Sequence, residues 1–204
     1  MNKIIAVILL LCGIQLNAQK SAFKELGAAE KVWVYLHPFS AKKAYRLSQE
    51  ALQVTDSIKP FLRQKYNGSG SKLDAFRHGY WMSLLSARIG PKRALWLGKA
   101  HEKKNEKDYK KNRLEDEAYI DQMTINMDLE NNAFGVKIGK YCKECSSKKL
   151  TESIVEALQR GELKIIRHNY AGEFLDVNNQ PIPDKEWQRS FKNKRNLVSS
   201  NFSL

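Results

Sequence analysis

The chain has little cysteine, only one long apolar run and a shortage of acid. There are three cysteines in 204 residues. Cys12 falls inside an amino-terminal leader pattern, so Cys142 and Cys145 remain for the rest of the chain. Two thiols exclude a four-thiolate zinc site within one chain. In an oxidising compartment the leading reading of this C-x-x-C pair is a local disulfide. A redox centre would need a preceding strand-to-helix turn, which the pattern lacks. The apolar run, residues 4–11, is shorter than the roughly 20 residues that span a bilayer. No later segment is apolar enough, so a transmembrane chain is not expected.

Other absences narrow the chemistry. Gly68 and Gly70 lack the Lys-Ser/Thr that completes a phosphate-cradling loop. Ser69 and Ser71 lack a nucleophile-elbow context. No arginine–aromatic stripe is present, which argues against specific nucleic-acid binding. No repeat, heptad run or low-complexity block appears. Acidic residues number 22 against 35 Lys and Arg, a formal net charge of +13. This surplus favours an anionic substrate or an anionic envelope surface, or it simply solvates lysine-rich faces.

Residues 1–18 read as a secretory signal peptide. Lys3 supplies the positive end, residues 4–11 the apolar stretch, and Ala18 a small residue before Gln19. Export to the periplasm or beyond is therefore expected. Leu9-Leu10-Leu11 is a poor lead-in for a lipid-carrying Cys12. Residues 19–204 are the size of a single domain. The oligomeric state is not legible.

Apolar spacing predicts a mostly α-helical domain with a small C-terminal β-hairpin. Helices are predicted over 21–37, from a Ser40 cap to about residue 66 with a break at Pro60, and from a Ser71 cap to Gly90. Pro91 starts the next, which carries Ala94, Leu97, Ala100 and His101. The charged stretch 103–113 reads either as an exposed helix or as a loop over a site. Further helices are expected over 115–140 and 150–160. Residues 163–166 and 173–177 read as the hairpin, within 161–183, with Asn178-Asn179 as a turn signal.

Three segments concentrate polar groups inside this apolar pattern: Asp74-Ala75-Phe76-Arg77-His78, His101-Glu102, and Asp128-Leu129-Glu130-Asn131-Asn132. Buried polar groups are costly unless they partner one another, so one shared site is expected. Asp74 and His78 sit roughly 40° apart on one helix face. Arg77 offers a planar fork for carboxylate or phosphate. Asp128, Asn131, Asn132 and Gly135 form one stripe of poor helix formers, a local cost that implies a compensating use. Gly135 would admit another backbone.

The order His78, His101-Glu102, Asp128 resembles that of helical metal-dependent phosphohydrolases, with Glu102 where those enzymes carry Asp. The resemblance implies His78, His101 and Asp128 as ligands of a divalent ion such as zinc. A closer resemblance is carried by Asp74-Ala75-x-Arg77-His78-x-x-Trp81, His101-Glu102 and Met127-Asp128-x-x-Asn131-Asn132-x-x-Gly135. These are similar to the signature of a bacterial domain family of unknown function, with Gly79 where Ala is usual. The likeness covers about 70–140 and implies a helical domain with a shared site, but no activity.

Three functions remain open. In a metal-dependent hydrolase of phosphoesters or similar anions, Asp74 or Glu102 orients or accepts protons while Arg77, Asn131 and Asn132 hold substrate. In a metal-free enzyme, His101 or Glu102 moves the proton. In a non-catalytic binding module, the same residues form a structural hydrogen-bond network.

Overall fold

In the computed structural model, residues 21–202 are described except 22, 63, 112–119 and 189. The expected signal peptide therefore lies outside the described residues. The chain runs through α1 (Ala28–Leu36), α2 (Pro38–Ile58), a 3₁₀ turn (Lys59–Leu62), α3 (Lys72–Ile89), α4 (Pro91–Lys110), α5 (Gln122–Tyr141) and α6 (Ser147–Arg160). It finishes with β1 (Lys164–Ile166), the short α7 (Asp184–Trp187) and β2 (Leu197–Ser199). The fold is mostly helical with a small two-stranded antiparallel sheet near the C-terminus. Among the described residues no helix is long and apolar enough to cross a membrane.

The central element is α3. It is buried on nearly every side and packs against α2, α4, α5 and α6. Its start follows from Ser71, whose Oγ accepts the Asp74 amide at 3.3 Å. Its stop follows from Gly90 at φ 95°, and Pro91 then opens α4. Phe76, Tyr80, Leu84 and Leu85 from α3 meet Trp33, Leu150, Ile154 and Leu163 in the main core.

The tightest helix pair is α3 with α5. A methyl group at Gly135 would collide with the carbonyl oxygen of Gly79, and one at Gly139 with that of Ser83. Ser86 Oγ donates to the Val136 carbonyl at 2.8 Å along the same seam. Small residues thus let two backbones approach as no larger side chain would. The pairings 79 with 135 and 83 with 139 rise together in number, so the two helices run in the same direction.

Several boundaries differ from expectation. The first helix is interrupted at Leu26–Gly27 before α1 begins. The next starts at Pro38 rather than behind Ser40, because Pro38 presets a helical φ and His37 occupies the cap position. That helix ends at Ile58, and the Pro60 segment becomes a 3₁₀ turn. The charged stretch is helical as far as Lys110, supported by Lys104–Asp108 at 3.0 Å and Lys110–Glu106 at 2.7 Å. The expected start of the fifth helix lies outside the described residues.

The hairpin partners also differ. Lys164–Ile166 pairs with Leu197–Ser199, whereas 173–177 makes only the isolated bridges His168↔Phe174 and Leu175↔Pro181. The cause is what Phe174 packs against. Its ring faces Trp187 edge-on, and the Arg195 guanidinium lies 4.4 Å from both ring centroids. Arg195 pairs with Asp121, the N-cap of α5, and both are buried. The C-terminal tail is thereby held against the start of α5 and delivered to β1. The Asn178-Asn179 turn forms, with Asn179 at φ 62°.

His168 is half-buried, edge-on to Tyr66 and Phe174, and burial lowers its pKa. Removing one partner of a buried ion pair leaves the other charge uncompensated. Arg195→Ala should therefore cost about 3 kcal/mol of unfolding free energy, read as a lower urea midpoint; an unchanged midpoint would contradict this role.

Candidate functional site

Parallel packing of α3 on α5 extends the glycine seam upward into a polar end. There Asp74 and His78 on α3 meet Asp128 and Asn132 on α5. One donor atom each from Asp74, His78 and Asp128 lies within 4.8 Å of the other two. His78 Nε2 is 3.4 Å from Asp128 Oδ1 and 3.7 Å from Asp74 Oδ1. All three residues are at most 5% exposed.

Each donor is aimed by other groups. Asp74 Oδ2 accepts the Gly70 amide at 2.8 Å, while Oδ1 accepts Arg77 at 2.6 Å. The same Arg77 nitrogen is 3.4 Å from His78 Nε2. On the other side, His78 Nδ1 is 3.3 Å from Asn132 Oδ1, and Asn132 Nδ2 donates to Glu102 Oε1 at 3.3 Å. Asn105 Nδ2 donates to Glu102 Oε2 at 3.2 Å. A carboxylate only accepts, so Glu102 fixes the Asn132 amide with its oxygen toward His78. That oxygen requires a proton on Nδ1. His78 Nε2 thereby faces Asp74, Asp128 and Arg77. Orientation of a ligand or base by such an outer chain is a recurrent feature of metal and proton-transfer sites.

The remaining candidates stand elsewhere. His101 is a neighbour, its ring centroid 6.4 Å from that of His78, but it is not one of the three converging donors. Its Nδ1 faces Glu30 Oε1 at 3.1 Å. Asn131, on the same stripe, turns to β1 instead, where it donates to the Lys164 carbonyl at 2.9 Å and accepts the Lys164 amide at 2.8 Å. It clamps β1 to α5 and lies away from the cluster. His37 is a helix-end residue, its Nδ1 3.0 Å from the Trp33 carbonyl. Cys142 and Cys145 form a disulfide.

The cluster forms a wall between two cavities. A larger one, about 540 Å³, is lined mainly by apolar residues of α1 and α2 and reaches Arg77, His78 and His101. A smaller one, about 280 Å³, reaches Asp74, Arg77 and Asp128 from the other side, past Asn67 and Ser69. Arg77 faces both.

Comparison with protein families matches residues 31–162 to a domain of unknown function, DUF6973. The chain belongs to this family. No curated protein and no solved structure matches it. In this DUF6973 chain the converging residues, their orienting partners and His101 all fall inside the matched span, whereas Glu30, Arg195 and the sheet lie outside it.

Sequence reasoning missed Glu30, because an acid in the first turn of a helix reads as a capping residue. It also holds the Gly27 amide, at 2.6 Å. Tyr66, beside Asp74, was missed as well; burial, with the Asp74 charge second, pushes its pKa up to about 12, so its hydroxyl stays protonated. The tautomer of His78 is directly testable. Long-range ¹H–¹⁵N NMR should show a proton on His78 Nδ1, and Asn132→Leu should weaken that preference; an Nδ1 without a proton in the parent protein would refute the orienting chain.

Proposed function

We propose that this DUF6973 chain is an exported hydrolase of phosphoesters or similar anionic esters, acting at the Asp74–His78–Asp128 cluster. The observation that carries this reading is the convergence of three electron-pair donors beside an arginine, in a wall between two cavities. The donor set suits a divalent transition ion such as zinc. Ligands about 2.1 Å from a tetrahedral ion lie about 3.4 Å apart, and two of the spacings here are 3.4 and 3.7 Å. Arg77 now sits beside two of these donors and must turn aside for an ion to bind. Its side chain is 26% exposed and borders both cavities, which gives it room.

When bound, such an ion polarises the ester and acidifies water. The chain supplies the rest. Arg77 holds the anion with its planar fork. Water attacks phosphorus, its proton passes to the carboxylate cluster, the phosphorus–alkoxy bond breaks, and the leaving oxygen takes a proton from His101. Glu30 orients that imidazole through Nδ1, leaving Nε2 as the exchanging nitrogen. Export is favoured by the leader pattern and by the disulfide, which suits an oxidising compartment.

A second reading is a non-catalytic module. It is favoured by the deep burial of the chain from Glu102 to Asp74. Exposed Val32, Tyr35, Leu36 and Phe39, in a chain with surplus lysine, would then rest on an anionic envelope surface.

Elemental analysis after reconstitution with zinc or manganese separates the two. The hydrolase reading expects about one ion per chain, lost in Asp74→Asn, His78→Ala and Asp128→Asn but kept in His101→Ala. His101→Ala should instead slow phosphomonoester turnover about 10²-fold or more. A protein that takes up no ion under any condition, and melts lower on His78→Ala or Asn132→Ala, is a scaffold.

A further inference from the structure

The larger cavity has a shape and lining that the hydrolytic chemistry alone does not require. Its α2 wall includes Ala41, Ala44, Tyr45, Ser48, Ala51 and Leu52. These span three turns, or roughly 16 Å at 1.5 Å per residue. Opposite them stand Trp33, Val34 and Leu97. Ser48 is one of the few polar groups along this length, and it is already engaged: its Oγ donates to the Ala44 carbonyl at 3.0 Å and accepts Trp81 Nε1 at 2.9 Å. The middle of the cavity therefore offers little to hold water. Small-molecule sites are commonly of this size, mostly apolar with a few convergent polar groups.

Apart from Lys42, which is exposed beside Ala41, the charged groups and imidazoles of the cavity lining are Arg77, His78 and the His101–Glu30 pair, with the His101 ring 6.4 Å from that of His78. Arg77 and His78 reach it at the end shared with Leu52, which also borders the smaller cavity. Trp81 meets Ser48 one turn further along, so α2 and α3 run in opposite directions past each other. Ala41 and Val34 consequently lie at the far end from Arg77. A ligand with one anionic head and one narrow apolar tail fits this polarity; a compact polar ligand would leave the far end unfilled.

We infer that the cavity between α1, α2, α3 and α4 binds a single-chain anionic amphiphile, an alkyl or acyl phosphate, with its head at Arg77 and its tail running along α2 toward Ala41. The inference rests on the proposed hydrolase reading for what happens at the head, but binding itself needs no turnover. At about 1.3 Å of advance per carbon from 1.5 Å C–C bonds, about a dozen carbons match the length of the α2 wall. Each buried methylene should tighten binding about threefold to fourfold until the tail reaches the end.

The test is calorimetric titration of metal-depleted protein with dodecylphosphonate and butylphosphonate, which cannot be hydrolysed, below the micelle concentration. One dodecylphosphonate should bind per chain, about a thousandfold or more tighter than butylphosphonate. Ala41→Trp and Val34→Trp, each checked for folding by thermal melt, should shorten the cavity. Each should weaken dodecylphosphonate at least tenfold and leave butylphosphonate unchanged. Equal affinity for the two chain lengths would overturn the inference. So would folded variants that bind dodecylphosphonate like the parent, or binding seen only where micelles form. Turnover of a short soluble phosphoester without chain-length preference would sink the cavity assignment and spare the hydrolase. Chain-length-dependent binding without turnover would do the reverse.

Discussion

Backbone contact between α3 and α5 is the constraint on which the rest depends. Gly135 and Gly139 on α5 lie against the backbone carbonyls of Gly79 and Ser83 on α3, with no room for a methyl group at either. Glycine inside a helix costs roughly 1 kcal/mol relative to alanine, so Gly135 and Gly139 along this seam have to be compensated. Two things compensate them. The seam packs α3 into the main core, and it sets the distance between the polar ends of the same two helices. Moving the helices apart by the width of one side chain would separate Asp74 and His78 from Asp128 and Asn132. Small residues in the lower half of the seam therefore define the chemistry of its upper half.

At that upper end, charge and orientation decide what the cluster does. Two carboxylates, an imidazole nitrogen and a guanidinium share a space that water barely reaches. A buried charge is stable only when it is paired and hydrogen-bonded. Here the pairing is asymmetric. Glu102, Asn132 and Asn105 hold His78 from behind, while Arg77 meets Asp74 and His78 from the side that opens to the cavities. The rear chain is fixed and the front partner has room to move.

Much of this was legible in the residues and part was not. The caps at Ser71 and Gly90-Pro91 and Gly135 in its stripe of poor helix formers carry strong local signals, and the structure follows them. Asp74, Arg77, His78, Asp128, Asn132 and Glu102 were readable as one network because polar side chains recur inside an apolar helical pattern. Asn131 has the same signal and does a different job, since a stripe of one helix is wide enough to face both α3 and β1. His101 pairs with Glu30 on an element far away in sequence, which spacing does not reveal. The sheet partner was misread because it depends on Arg195 lying between two aromatic rings and pairing with Asp121, a contact across more than seventy residues. The large cavity left no local signal, because its walls are ordinary apolar positions of four helices.

The most direct measurement of the central claim is anomalous diffraction from crystals of the protein grown with zinc or cobalt, recorded at the metal's absorption edge. The account predicts one strong peak bounded by Asp74, His78 and Asp128, with Arg77 turned toward a cavity and the Gly79–Gly135 contact intact. Crystals in which those three side chains diverge, or in which the anomalous signal lies elsewhere and Arg77 remains between them, would contradict it.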